Sequence, residues 1–356
     1  MLLVTTWFGS FLLDDGKVVH QRLFPKDADA LADRLVRVED WKVLDEEREL
    51  MSIAEEVFVT EPRLERAGGN RTPQRPPFLK PEEFGYGRDL LHAAMVDLAK
   101  RRMRKAIGPE DHLRQAVGAL DELQQEENVL LERLREWYGL HFPELAPVVD
   151  TGTYVDLIAM YGRRDRMPID GRESIGANLP EREEAELKAF AGLAKLVQGQ
   201  RKAIESYLER SIREIAPNVS ELAGPILAAR LIALAGTVED LARAPAGTVQ
   251  LLGAERALFR HLRTGSPPPK HGVLFQHPWV HGAPPWQRGA IARAFAAKVS
   301  LAARADAFTK RKIAPELAKE LRAAVEDIRR RKAEKPVRPK ASVPGKKRPQ
   351  QKRARH

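Results

Sequence analysis

Two long stretches near the middle of the chain repeat apolar residues in alternating steps of three and four. The first runs Leu113, Ala116, Leu120, Leu123, Glu127, Leu130, Leu134, Trp137, broken once at Glu127. The second runs Leu187, Phe190, Ala194, Val197, Arg201, Ile204, Leu208, Ser211, Ile215. Each rhythm draws a stripe along one side of a helix, and each stripe needs a covering surface. About fifty residues separate the two, with Gly152, Gly162 and Pro168 among them. The pattern predicts a long antiparallel coiled-coil hairpin with apolar surface left over for self-association. A compact helical bundle that satisfies both stripes internally is the alternative.

The front of the chain has a different rhythm. Leu2 to Phe8 is rich in strand formers, and Phe11–Leu13 and Val18–Leu23 flank Asp15-Gly16, a favoured two-residue hairpin turn. Asp27 suits the start of a helix through Ala30, Leu31, Leu35 and Val38. Leu50, Ile53 and Val57 suggest further short elements, Gly68 to Pro81 a loop, and Phe84 to Lys105 a helix leading out of the domain. From Gly224 the chain is Ala-rich and helical, over Ile226–Ala235, Val238–Ala242 and Ala254–Leu262, punctuated by Pro267-Pro268-Pro269 and Pro284-Pro285. A further helix sets Arg288, Arg293, Lys298 and Arg304 against Ile291, Ala294, Phe295, Val299 and Ala302, which reads as a cationic stripe opposite a core-facing one. The fold class that follows is mainly α, with a small N-terminal α/β domain over 1–108, a coiled coil over 109–219, an α-helical domain over 220–328 and a disordered basic tail over 329–356. The tail assignment rests on its scarcity of apolar residues, which leaves nothing to bury.

Composition sharpens this picture. The 356 residues carry a net charge of +10, unevenly spread. Residues 1–223 hold 32 basic and 41 acidic groups, residues 224–328 hold fifteen and eight, and residues 329–356 hold thirteen and one. An acidic front and a basic rear call for different partners, a polyanion suiting the rear. The absence of cysteine excludes disulfides, thiolate metal sites and a Cys nucleophile. No apolar run approaches the length of a membrane span, and MLLVTTWFGSFLL lacks a basic leader, so a cytoplasmic, intracellular protein without a membrane role is expected.

Catalytic patterns are missing. The chain has no phosphate-binding G-x-x-x-x-G-K-[ST] loop, no dinucleotide fingerprint and no G-x-S-x-G elbow. His261, His271, His277 and His281 fall within 21 residues, but Pro278 interrupts the one helical pairing and no acid lies among them. No catalytic residue and no metal site are therefore expected, a His-based metalloenzyme being the remote alternative. The stronger cluster is GAERALFRHLRTGSPPPKHG, Gly253 to Gly272. Arg256, Arg260 and Arg263 share a helix face, Gly253 sits where helix amides could meet a phosphate, and the prolines deliver Lys270 and His271. Planar guanidinium groups bind phosphate through two donors and stack on bases, which suits RNA.

The blocks LREWYGLHFPEL (Leu134 to Leu145), EIAPNVSELAGPILAARLIALAG (Glu214 to Gly236), GAERALFR (Gly253 to Arg260), KHGVLFQHP (Lys270 to Pro278) and PWQRGAIARAFAAK (Pro285 to Lys298) resemble the Nop domain. Gly253-Ala254-Glu255-Arg256 departs from the archaeal GAEK signature by keeping the charge in an arginine. The likeness is to archaeal Nop proteins of the fifty-six/fifty-eight type, scaffolds of box C/D guide ribonucleoproteins. It implies that the front domain holds a fibrillarin-type methyltransferase and that the coiled coil pairs two copies of the chain. It also implies an α-helical Nop domain clamping kink-turn guide RNA already bound by the ribosomal-type kink-turn protein. The 2′-O-methylation of rRNA or tRNA, with its S-adenosylmethionine cofactor, would belong to fibrillarin, leaving no cofactor for this chain. RNA contacts are expected from Arg256, Arg260, Lys270, Arg288, Arg293 and Lys298. A Nop-domain protein of another particle would share the same rear half.

Overall fold

The Asp15-Gly16 pair turns the chain as its sequence requires, with φ of 48° and 77°, the left-handed pair of a tight hairpin. This computed structural model describes residues 1–169 and 174–335. The chain divides into two units, Met1–Gly108 and the chain from Pro109 onward, each with its own core.

In the first unit β1 (Leu2–Thr5), β2 (Gly9–Asp14) and β3 (Lys17–Leu23) form an antiparallel meander. The first strand stops three residues short of the expected Phe8, because Thr6 N–H turns back to the Gly9 carbonyl at 2.9 Å. Helices α1 (Ala28–Glu39) and α2 (Asp45–Met51) follow, Asp27 capping α1 by accepting from Ala30 N–H. Strand β4 (Phe58–Val59) joins β1 in parallel, α3 (Pro62–Glu65) crosses, and β5 (Asn70–Arg71) adds an edge inside the segment expected as loop. The sheet order is β3-β2-β1-β4-β5. Helix α4 (Arg88–Ala106) does not lead away from this unit. It lies along α1, where Arg101 bonds Asp29 and Asp33, Arg102 bonds Glu39 and Lys105 bonds Asp40.

The second unit opens with α5 (Pro109–Tyr138), α6 (Thr151–Tyr161) and α7 (Glu181–Ile215). Leu113, Val117 and Leu120 share a core with Leu208 and Ile212, whereas Leu131 and Leu134 share one with Leu187, Ala191 and Ala194. Early residues of one helix meet late residues of the other, so the pair is the antiparallel hairpin its stripes predict. Between the two cores the charged interruptions find each other: Arg201 donates to Glu127, both largely shielded at 20% and 12% exposure. Val129, Leu193, Leu196 and Met160 remain exposed.

The remaining helices are α8 (Pro217–Ala223), α9 (Pro225–Ala235), α10 (Val238–Arg243), α11 (Ala246–Leu251), α12 (Glu255–Thr264), α13 (Pro278–His281), α14 (Arg288–Arg304) and α15 (Ala314–Arg331). The lower end of the hairpin is continuous with their core. A π turn, Ala305–Thr309, follows α14 and buries Asp306, whose carboxylate accepts from Asn218 and Val219 N–H at 3.1 and 2.9 Å. That carboxylate caps α8, while the Asn218 side-chain oxygen accepts from Ile313 and Ala314 N–H and caps α15. Helix α15 carries the fold past Arg329, where the tail was expected to begin. Ile328 still packs, and Asp327 pairs with Arg330 and Arg331 in the last turn. The rest of the expected tail, from residue 336, lies outside the described residues.

Candidate nucleic-acid interface

The segment Gly253 to Gly272 is an excursion closed at its base by backbone pairing. Gly272 N–H donates to the Gln250 carbonyl at 2.8 Å and Val273 N–H to the Leu252 carbonyl at 2.7 Å. The approach is so close that a Cβ at Gly272 would run into the Leu252 carbonyl, which is why glycine stands there. Helix α12 projects within this excursion, and none of its ten residues is buried. Arg256, Arg260 and Arg263 are all exposed, with no side-chain partner among the described residues. Phe259 and Leu262 are also exposed, at 68% and 70%. An open, mostly apolar cleft lies beside the first turn, lined by Pro245, Thr248, Leu251, Leu252 and Leu258.

The reading of this helix start as an open phosphate site needs correction. Glu255 folds its carboxylate back to accept from Gly253 N–H at 2.7 Å, so an acid of the chain itself already sits at that end. Gly253 has φ of 80°, a conformation that lets the turn close on Glu255.

Lys270 stands at the other end of the excursion, exposed, its Nζ donating to the Pro285 carbonyl at 3.1 Å. Its position is set by Gln250, a buried residue that the sequence reading did not single out. The Gln250 amide donates to the Lys270 carbonyl at 2.6 Å and to the Gly289 carbonyl at 3.4 Å. Gly289 lies under the Lys270 stem, and Arg293 follows one turn later on the same side of α14. Arg293 is exposed and has no side-chain partner among the described residues. Lys270 and Arg293 thus share one surface.

Arg288 and Lys298 do not join it. Steps of five residues rotate a side chain by about 140° around a helix, so the cations of α14 wind around it instead of lining one face. Arg288 Nε donates to the Ala283 carbonyl at 2.8 Å and its Nη2 to the His281 carbonyl at 3.2 Å. Its guanidinium also lies 5.1 Å from the Phe275 ring centre, so it holds the α13–α14 connection together. Lys298 bonds Glu320 of α15, and Arg304 donates to the Ala242 carbonyl at 3.1 Å. Helix α14 is the central core helix of this region, with Ile291, Ala292, Phe295, Ala296, Val299 and Ala303 all buried.

The four histidines serve separate purposes. His271 stacks on Phe275 at 4.6 Å, and His281 meets the same ring edge-on at 5.0 Å. His277 packs 4.5 Å from Phe295 and accepts from Trp279 N–H at 3.2 Å, capping α13. His261 bonds the Ser266 carbonyl. Burial pushes His277 below its ordinary value, and burial followed by the nearby Arg288 and Lys270 charges does the same to His271. Among the described residues no group of three His, Asp or Glu is placed to hold a metal ion, and no helix is long and apolar enough to cross a membrane.

Comparison with known proteins adds the following. The family model described as "Nop: snoRNA binding domain, fibrillarin" matches residues 119–330. A NOP5 family protein of Methanocaldococcus jannaschii is 44% identical over 222 residues, covering 57% of this chain and 53% of that protein. Nucleolar protein 58 of Candida glabrata is 37% identical over 222 residues, 57% of this chain and 43% of its own length. Human nucleolar protein 56 is 35% identical over 204 residues, 51% of this chain and 34% of its own. The chain thus spans about half or less of the curated relatives it matches. A crystal structure of a fibrillarin/Nop5p complex aligns over 92% of this chain and all of that one, at 22% identity and a TM-score of 0.41.

Proposed function

Since the chain belongs to the Nop family, we propose that it is a non-catalytic scaffold of a box C/D guide ribonucleoprotein. Its second unit grips kink-turn RNA together with the ribosomal-type kink-turn protein. Its first unit holds fibrillarin, which keeps the S-adenosylmethionine and performs guided 2′-O-methylation. The observation that carries this reading is the set of cations on and around the excursion that have no acid partner among the described residues. Arg256, Arg260 and Arg263 stand on a helix with no buried residue, and Arg293, without a partner among the described residues, stands beside Lys270. Cations left without acid partners are available to neutralise phosphate and release its counterions. The exposed Phe259 and Leu262 offer apolar surface to a protein partner or an unpaired base. Homodimerisation through the hairpin is part of the proposal, supported by exposed Val129, Leu193 and Leu196.

Reconstitution tests the reading. Guide RNA, fibrillarin and the kink-turn protein are assayed for methyl transfer to the paired target, with and without this chain. Site-specific methylation is expected only in its presence. Equal methylation without it, or failure of the chain to join the RNA–protein complex, would overturn the proposal.

A further inference from the structure

An exposed lysine is ordinarily among the loosest side chains on a protein surface, a hydrated ammonium on a flexible stem. Lys270 is exposed and has no acid partner among the described residues. It is nevertheless held at three points: its carbonyl by the Gln250 amide, its stem along Gly289 of α14, and its Nζ by the Pro285 carbonyl. The stem fits because Gly289 has no side chain. Lys270 Cβ, Cγ and Cδ lie 3.5, 3.7 and 3.9 Å from where a Cβ would stand there. Ahead of the lysine, the rings of Pro267, Pro268 and Pro269 fix the backbone that delivers it.

Gln250 ties these restraints to one another. It lies on α11 and is 7% exposed. Its Nε2 donates to the Lys270 carbonyl at 2.6 Å and to the Gly289 carbonyl at 3.4 Å, while its own carbonyl accepts from Gly272 N–H at 2.8 Å. A buried amide aimed at carbonyls of two different segments fixes their spacing, because an oxygen left desolvated and unmet is costly. The lysine's charge stays available throughout. A backbone carbonyl is neutral, and an ammonium carries donors beyond the one given to Pro285.

We propose that Gln250 is a positioning residue that holds the Lys270 ammonium ready for a phosphate of a sharply bent RNA, and so favours bent over straight RNA. This rests on the RNA-binding reading above. A loose lysine follows any phosphate path but must be ordered as it binds. A pinned one is ordered beforehand, and serves only a backbone that brings a phosphate to its place.

A double-mutant cycle tests this in the full chain, titrated onto box C/D guide RNA already bound by the kink-turn protein. Lys270→Met keeps the stem and removes the charge, and should weaken binding about tenfold. Gln250→Met keeps the volume and removes the donor, and should weaken it about fivefold, the cost of ordering a released lysine. The double variant should bind no worse than Lys270→Met alone, since Gln250 acts through that lysine. Affinity of the chain alone for a straight RNA duplex should be the same in Gln250→Met as in the unaltered protein. Thermal unfolding checks that Gln250→Met folds; if not, Gln250→Asn, one methylene shorter, takes its place. A merely structural role would carry the fivefold loss into the Lys270→Met background or onto the straight duplex, and either result overturns the inference while leaving RNA binding standing. So does full affinity in Gln250→Met beside a loss in Lys270→Met. If Lys270→Met itself binds unchanged, the RNA reading of this surface fails and the inference falls with it.

Discussion

Helices α12 and α14 each carry several cations, and along the sequence both look like binding faces. In α12 the three arginines recur at steps of four and three, stay on one side, and meet no acid among the described residues. In α14 Arg288 is committed to backbone carbonyls and a ring, Lys298 to Glu320 and Arg304 to Ala242, while Arg293 has no partner among the described residues. What separates them is burial. A helix with no buried residue has no internal use for its charges, while a core helix spends its cations stitching neighbours together. Positive charge becomes a binding surface only where the fold has left it unspent.

The largest effect should come from α12. Replacing Arg256 and Arg260 together by Ala should weaken binding to kink-turn RNA by about 3 kcal/mol and reduce the slope of log affinity against log salt by about 2. The unfolding temperature should stay put, since nothing on this helix is buried. Gel shifts across a salt series, paired with thermal melts, read both quantities. A melting change as large as the binding change would erase the distinction between the helices. Arg288→Ala should do the opposite, costing about 2 kcal/mol of stability in denaturant titration through lost hydrogen bonds and ring contact. Arg288→Lys should not restore it, because an ammonium lacks the planar fork.

A pH series gives a smaller effect. His271 and His277 are both held below the ordinary 6.5, so the fold favours their neutral forms. Their contribution is complete above that value and is lost as pH falls below it, when the unfolded chain takes up protons that the folded one resists. Urea midpoints measured between pH 7 and pH 5 should fall, and less so in His277→Asn, which keeps an α13 cap. A midpoint that rose on acidification would contradict the burial described here. Lys298→Met should be least disruptive, within about 1 kcal/mol of stability, since its partner Glu320 is 59% exposed. RNA affinity should not change in that variant; a tenfold loss in a gel shift would return Lys298 to the binding surface.

Much of this was legible in the chain itself. Stripes in steps of three and four disclosed the helical hairpin, Asp15-Gly16 the β2–β3 turn, Asp27 the cap of α1, and the 256/260/263 spacing an exposed cationic face. Local pattern failed where the deciding contact is distant. Gln250 positions Lys270 and Gly289, twenty and 39 residues away, and no periodicity announces such a bond. The role of α14 was misread for a related reason. Its small residues let neighbours press in from several sides, so side chains that look outward-facing by spacing are met by Glu320, His281 and Ala242. The Trp286 indole and the Gln287 amide likewise donate to the Lys332 carbonyl, 46 and 45 positions away.

The pairing of Glu127 with Arg201 has a mechanical consequence. A hairpin whose first arm has 30 residues measures about 45 Å along its axis, and a slide of seven residues would shift its far tip by about 10 Å. Leucine and alanine layers alone would tolerate such a slide, because each resembles the next. A lone carboxylate moved against Ala194 or Leu208 would not. One charged rung thus turns a slippery pair of rods into a ruler of fixed length.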